Sequence, residues 1–203
     1  MSSSSGIDIK FVQDTYQRMT DGELIRIATE EAYGLTPEAI EIVKAEIQKR
    51  GLDQNIAKGV EAQNKTWTIQ EVDAYCDIIS KLSCPTCGGT TARLNATITG
   101  EVMSFIIFTT YSKKLKIGCG NCLDNATTNA LAKTILLGWW GIPWGLIRTP
   151  LAIALNFSSK RTNQLQDHND HLRSFVLSNV GVLETYKNDR EKLQQIVAKQ
   201  NGV

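Results

Sequence analysis

Two Cys-x-x-Cys pairs, Cys84/Cys87 and Cys119/Cys122, constrain this chain more than any other feature, because four thiolates brought together can close a tetrahedral shell around one metal ion. Closing that shell requires the residues between the pairs to fold back on themselves. The first pair reads Cys84-Pro85-Thr86-Cys87-Gly88-Gly89. Pro85 presets one backbone angle, and Gly88 can take the positive φ that turns main-chain N–H groups toward the sulfurs. The second, Cys119-Gly120-Asn121-Cys122, carries the two residue types most tolerant of left-handed geometry and is expected to form a matching turn.

Between the pairs, Thr90 to Ile98, Val102 to Tyr111 and Lys114 to Gly118 are rich in strand-forming residues, with breaks at Gly100 and at Ser112-Lys113. That pattern predicts a three-stranded antiparallel ribbon. Together with Cys84, Pro85, Cys87, Gly88, Cys119 and Cys122, the stretch from 82 to 124 resembles the zinc-ribbon superfamily. The resemblance implies a structural Zn²⁺ on the four cysteines. A rubredoxin-like iron site has similar spacing, but the second pair lacks the Pro and trailing Gly of the first. Four protein ligands leave no open position for water or substrate, so such an ion stabilises a small hairpin rather than catalyses.

The expected fold class is α+β: a small three-stranded zinc ribbon flanked by an N-terminal helical hairpin and C-terminal helices. Its divisions are 1–66, a helical hairpin plus linker; 67–124, the ribbon with its lead-in helix; 125–166, an apolar Trp-rich helical segment; and 167–203, the C-terminal helices. Thr20 and Glu23 form a capping box before the first hairpin helix, while Thr36 caps the second, Pro37 opens it and Gly51 stops it. The run from Met19 to Leu52 resembles segments of uncharacterised bacterial proteins, which implies a bacterial source. Asp53 to Trp67 is polar and irregular enough for a linker. Within it, Gly59 to Thr66 approaches a phosphate loop, but Asn64 replaces the second glycine and no strand precedes it. Cys76, the leftover thiol, falls in helical register with Val72, Ile79 and Leu82 and reads as a buried structural residue.

The segment beyond the second pair is the other informative region. A helix capped by Asn125 is expected to run to about Leu137, followed by Gly138-Trp139-Trp140-Gly141-Ile142-Pro143-Trp144-Gly145, and Thr149-Pro150 is expected to open another apolar helix. The uncharged stretches Thr134–Ile147 and Thr149–Ser159 each fall short of the ~17 residues a simple spanning helix needs. Joined, they would hold Arg148 near mid-membrane at a cost of ~2.5–3.5 kcal/mol. Three roles stay open for Trp139, Trp140, Trp144 and Arg148: buried core or oligomer surface, re-entrant or interfacial membrane contact, and a full span. The pattern Gly-Trp-Trp-Gly-x-Pro-Trp-Gly resembles segments beside zinc ribbons in uncharacterised, often membrane-linked bacterial proteins.

The formal charge of +1 hides an acidic front and a basic middle. That middle suits an anionic membrane surface, or nucleic acid contacted by Arg93, Lys113, Lys114 and Lys116. His168 and His171 could share a helix face as a second metal site or acid/base pair, though a solvated helix end explains them equally well. No serine-hydrolase elbow, zinc-protease motif or dinucleotide fingerprint is present. The serine-rich start, Met1 to Gly6, shows no secretory pattern, and an odd cysteine count with knuckle spacing fits a reducing compartment. The expectation is therefore a non-enzyme without a small-molecule substrate. It would be a cytoplasmic scaffold or interaction protein, peripheral or re-entrant at the inner membrane or part of a larger complex, with a protein partner or a second copy. A nucleic-acid-binding ribbon is the alternative and a rubredoxin-like electron carrier the weaker one.

Overall fold

A computed structural model describes residues 9–105, 108–165 and 167–203; Met1 to Gly6, and residues 106 and 107 of the expected second strand, lie outside them. The chain divides into two compact units, one formed by Met1–Ile69 with Val176–Asp189, the other by Gln70–Phe175 with Arg190–Val203.

The first unit is helical. Helices α1 (Ile9–Arg18), α2 (Asp21–Arg26), α3 (Pro37–Lys49) and α4 (Asn55–Gln63) are joined by a π-helical turn at Ile27–Glu31 and completed by α9 (Val180–Thr185). Thr20 and Glu23 make the expected capping box, and Thr36 caps α3 with Pro37 at its first position. Gly51 ends α3 with φ +66°. Tyr16, Leu24, Ala28, Val43, Ile47 and Val60 form the buried core. Arg50 ties its edge by donating to the carbonyls of Tyr16 (3.0 Å) and Met19 (2.7 Å) and to the buried Glu46 (2.8 Å). Residues 53–67 are not an irregular linker, because α4 occupies most of them. Its Gly59 lies where α9 crosses, and a Cβ there would come within 2.8 Å of the Gly181 carbonyl. The glycine that suggested a phosphate loop is thus a packing glycine.

The second unit holds α5 (Ile69–Ser80), β1 (Leu94–Phe105), β2 (Phe108–Cys119), α6 (Gly120–Leu137), α7 (Trp144–Thr162), most of α8 (Asp170–Ser178) and α10 (Arg190–Asn201). The three-stranded ribbon is not formed. Among the described residues there is one two-stranded antiparallel sheet beside ten α-helices, so the chain is a helix-rich α+β protein. Gly100 and Ser112-Lys113 do not break the strands: Gly100 pairs with Lys113 in mid-ladder, and the ladder extends to the pair Phe105 and Phe108. Gly100 is a site of close approach instead, since a Cβ there would lie 2.9 Å from Leu155 of α7.

Side chains from the helices satisfy the outer backbone of the hairpin. Asn156 of α7 accepts from the Gly100 N–H (3.0 Å) and donates to its carbonyl (2.7 Å). Ser159 donates to the Ile98 carbonyl, and the Val102 N–H donates to Thr134 of α6. On β2, Asn201 of α10 accepts from the Ile117 N–H (2.9 Å) and donates to its carbonyl (2.8 Å). A sheet edge that would otherwise invite another strand is thereby capped by two amide side chains acting as surrogate peptide groups.

Candidate metal centre

The four sulfurs meet where the hairpin begins and ends. Leu94, which opens β1, pairs with Cys119, which closes β2, and the first Cys-x-x-Cys precedes β1 with residues 88–93 between them. Cys84 to Gly89 form a tight turn, with the Gly88 N–H donating to the Cys84 carbonyl and the Cys84 N–H to the Gly89 carbonyl, both at 2.8 Å. Gly88 takes φ +72°, the left-handed geometry expected of it. The second pair is built differently. Cys119 is the N-cap of α6 and Cys122 lies in its first turn, so Gly120 and Asn121 are helical rather than left-handed. The cap, Cys119, lies six residues before the anticipated Asn125 cap.

The sulfurs of Cys84, Cys87, Cys119 and Cys122 all lie within 4.8 Å of one another, and they are the metal-competent group among the described residues. Cys87 and Cys119 are 3.9 Å apart, and the Cys119 N–H donates to the Cys84 sulfur at 3.4 Å. This cluster fits a metal-binding knuckle. A helix N-terminus favours negative charge, so α6 and the first turn direct N–H groups at the sulfurs from two sides. Burial opposes ionisation of Cys84, but N–H groups of Cys119, Cys87 and Thr86 outweigh it and draw the thiol down to about 6. Cys119 and Cys122 are pushed up by burial, with the Cys84 sulfur adding to the effect at both. Crowded thiols cannot all ionise unaided, whereas a divalent cation would neutralise four thiolates at once.

Beside the cluster a recess of about 280 Å³ is lined by Arg93, Asn95, Gly120, Asn163 and Gln164. Its polar groups are largely engaged within the fold: Arg93 with Asp77 (2.7 Å), Asn95 with the Asp167 carbonyl and Gln164 with Asp124. The chain matches no known protein-family model, curated protein or solved structure. What the four cysteines support, by spacing and by sulfur geometry, is a metal-binding knuckle.

The remaining anticipated residues are dispersed. Lys116 donates to the Asn201 carbonyl (2.5 Å), Lys113 lies over the Tyr111 ring, and Lys114 sits opposite Thr99 on β2. His168 pairs with Asp77 at 3.0 Å, and neither it nor His171 joins a metal-competent group among the described residues. Cys76 is fully buried, and burial raises its thiol to about 12, as befits an inert structural cysteine. Trp139, Trp140 and Trp144 are exposed, with Arg148 stacked 5.4 Å from the Trp144 ring. Pro150 lies inside α7 rather than at its start. Among the described residues no helix is long and apolar enough to cross a membrane.

What the sequence did not reveal is the polar lining between hairpin and helices. Thr134, Asn156, Ser159 and Asn201 determine how the sheet is held. Their sequence signal is weak, since Asn201 lies in a polar helix and the other three share their buried stripes with small and polar neighbours.

Proposed function

We propose that this chain binds one structural zinc ion through Cys84, Cys87, Cys119 and Cys122 and serves as a non-catalytic scaffold, holding the hairpin and α6–α7 as a rigid platform for interaction. The observation that carries it is the cluster of four sulfurs, drawn from a turn and a helix N-terminus and all within 4.8 Å. Four thiolates suit zinc, fill a tetrahedral shell and leave no coordination position for substrate. The ion would clamp the open end of the long hairpin, where β1 begins and β2 finishes, to α6, which is where a hairpin lacking a third strand needs support.

Elemental analysis and chelation test this. The purified chain is expected to be colourless with about one zinc per molecule. Cys84→Ser or Cys119→Ser should abolish stoichiometric zinc and destabilise the second unit by about 4 kcal/mol or more. A coloured iron protein, or a metal-free chain whose unfolding midpoint is unmoved by zinc, would overturn the proposal.

A further inference from the structure

The α6–α7 pair is built inside out. Buried α6 positions are Leu123, Thr127, Ala130 and Thr134, continued by Gly138; those of α7 are Gly145, Thr149, Ala152, Asn156 and Ser159. Except for Leu123, each is small or polar. The large apolar side chains point outward, among them Trp140 at 70% exposure and Ile142 at 77%, with Leu136, Leu146 and Leu151. Phe105 and Phe108, at the hairpin tip, are exposed as well. The tips adjoin each other, because Cβ atoms on Gly141 and Gly145 would each lie 3.0 Å from Ser104 side-chain atoms. Small and polar residues inside with large apolar ones outside is the arrangement used where the surroundings are hydrocarbon. Water would penalise it.

We propose that this end of the second unit seats in the headgroup and upper acyl region of one leaflet of an anionic lipid bilayer. The inference deepens the scaffold proposal by naming the surface on which the scaffold stands, and rests on it for the scaffold role and not for the metal.

Charge marks the depth. Glu101 bonds Lys133 across hairpin and α6, and Lys113 stands opposite Gly100, so charged residues collar one level of the hairpin. Beyond that collar, residues 102–112 and 134–147 carry no charge. From Glu101 to Phe105 is four residues, ~13 Å of strand, comparable to headgroup depth plus the ~5–10 Å to which interfacial segments dip. Arg148 lies toward the tip, on the Trp144 ring, as a guanidinium at phosphate level would. From 101 to 161 there are seven basic side chains against Glu101 and Asp124, the sign that attracts anionic headgroups.

Lipid fits this surface better than a second copy. At 100° per residue, exposed Leu146, Ile147, Leu151 and Phe157 cover about 140° of α7, and the apolar surface continues over Trp140 to the hairpin tip. Continuous with an uncharged tip and bordered by basic residues, so broad a face suits a fluid anionic medium. Hydrogen bonding agrees, since the Trp140 indole donates to the Leu136 carbonyl (3.0 Å), and Thr134, Asn156 and Ser159 satisfy the β1 edge.

Flotation of the full, zinc-loaded chain with vesicles of phosphatidylcholine, alone or mixed with phosphatidylserine, tests the proposal. Binding is expected to the mixed vesicles, with tryptophan emission quenched by brominated acyl chains. The double substitution Trp140→Ser with Ile142→Ser should weaken it roughly tenfold without changing zinc content or the thermal midpoint. Lys113→Glu should weaken it by about tenfold or more on the mixed vesicles only. Failure of the folded, zinc-loaded chain to float with either vesicle would overturn the proposal. So would a stable soluble oligomer that shields residues 136–147 from hydrogen exchange. Flotation of a chain that proves to hold no zinc would sink the scaffold's metal clause and support this one.

Discussion

The two ends of one β-hairpin are built on opposite rules. At the cysteine end, Leu94, Ile117 and Leu123 are buried behind the sulfurs, and apolar side chains turn inward as in any water-soluble core. At the other end, glycines and hydroxyls fill the interior while Phe105, Phe108, Trp140 and Ile142 face out. The same ladder runs through both, so backbone pairing does not distinguish them. The contrast lies in what holds each end: sulfurs converge at one, while helices approach closely at the other through residues with almost no side chain. Burial of area stabilises the first, and close backbone approach with matched hydrogen bonds the second.

The largest effects should come from imposing the rule of one end on the other. Asn156→Leu keeps the number of side-chain heavy atoms but strands the Gly100 N–H and leaves its carbonyl only the longer bond from Thr134 (3.3 Å), and should cost about 2–4 kcal/mol. Gly138→Leu should cost about 3 kcal/mol or prevent α6 and α7 from packing, because a Cβ there collides with the Thr149 side chain of α7 and with the Thr134 carbonyl (2.5 Å). At the cysteine end the same exchange of polarity runs the other way, with Leu123→Asn costing about 3–5 kcal/mol. Urea unfolding of the four proteins checks this. An Asn156→Leu chain as stable as the parent would erase the distinction between the two ends.

How much of this could be read from the sequence follows the same division. Features governed by neighbours in the chain were legible: the Thr20/Glu23 box, Thr36-Pro37, the Gly51 stop, the Gly88 turn and the spacing that brings four sulfurs together. Features governed by distant partners were not. Gly100 looks like a hinge in isolation, and only the approach of Leu155 makes it a mid-strand residue, which turns three short strands into two long ones. Gly59 looks like part of a loop until α9 is laid across it. Asn125 is a sound helix cap, yet Cys119 precedes it, because the thiol that ends β2 also starts α6.

A smaller effect is expected on the outward face. Trp140 and Ile142 are mostly exposed, so replacing both with Ser removes little packing and should shift stability by about 0.5 kcal/mol or less in buffer without lipid. Leu24→Ser in the first unit, where that side chain is fully buried, should cost about 3–5 kcal/mol. A large loss for the tryptophan variant would show that the tip is an ordinary core covered by another molecule, and thermal unfolding at several protein concentrations would reveal it.

The smallest expected effect uses the carboxylates, which also separate the two ends. Asp73 accepts from Arg173 at 2.7 Å and Asp77 bonds His168 and Arg93, whereas no carboxylate lies beyond Glu101 toward the tip among the described residues. The hydrogen bond from Arg173 holds Asp73 below its ordinary range, and that from His168 does the same for Asp77. A carboxyl depressed in the fold contributes stability that is present above its unfolded pKa and disappears as pH falls through the folded one. Both groups are substantially exposed, so each contribution is modest and sensitive to salt. Below the ordinary carboxylate range, protection from hydrogen exchange, corrected for the intrinsic pH dependence of the rate, should therefore fall in α5 and around Arg173 while residues 102–105 and 138–147 keep theirs. Acid also protonates the thiolates, so Asp73→Asn provides the control: if the pair is responsible, that variant loses part of the acid sensitivity of α5 while its zinc release follows the same pH course as the parent's. Equal acid sensitivity at both ends would mean that the carboxylates do not set the difference.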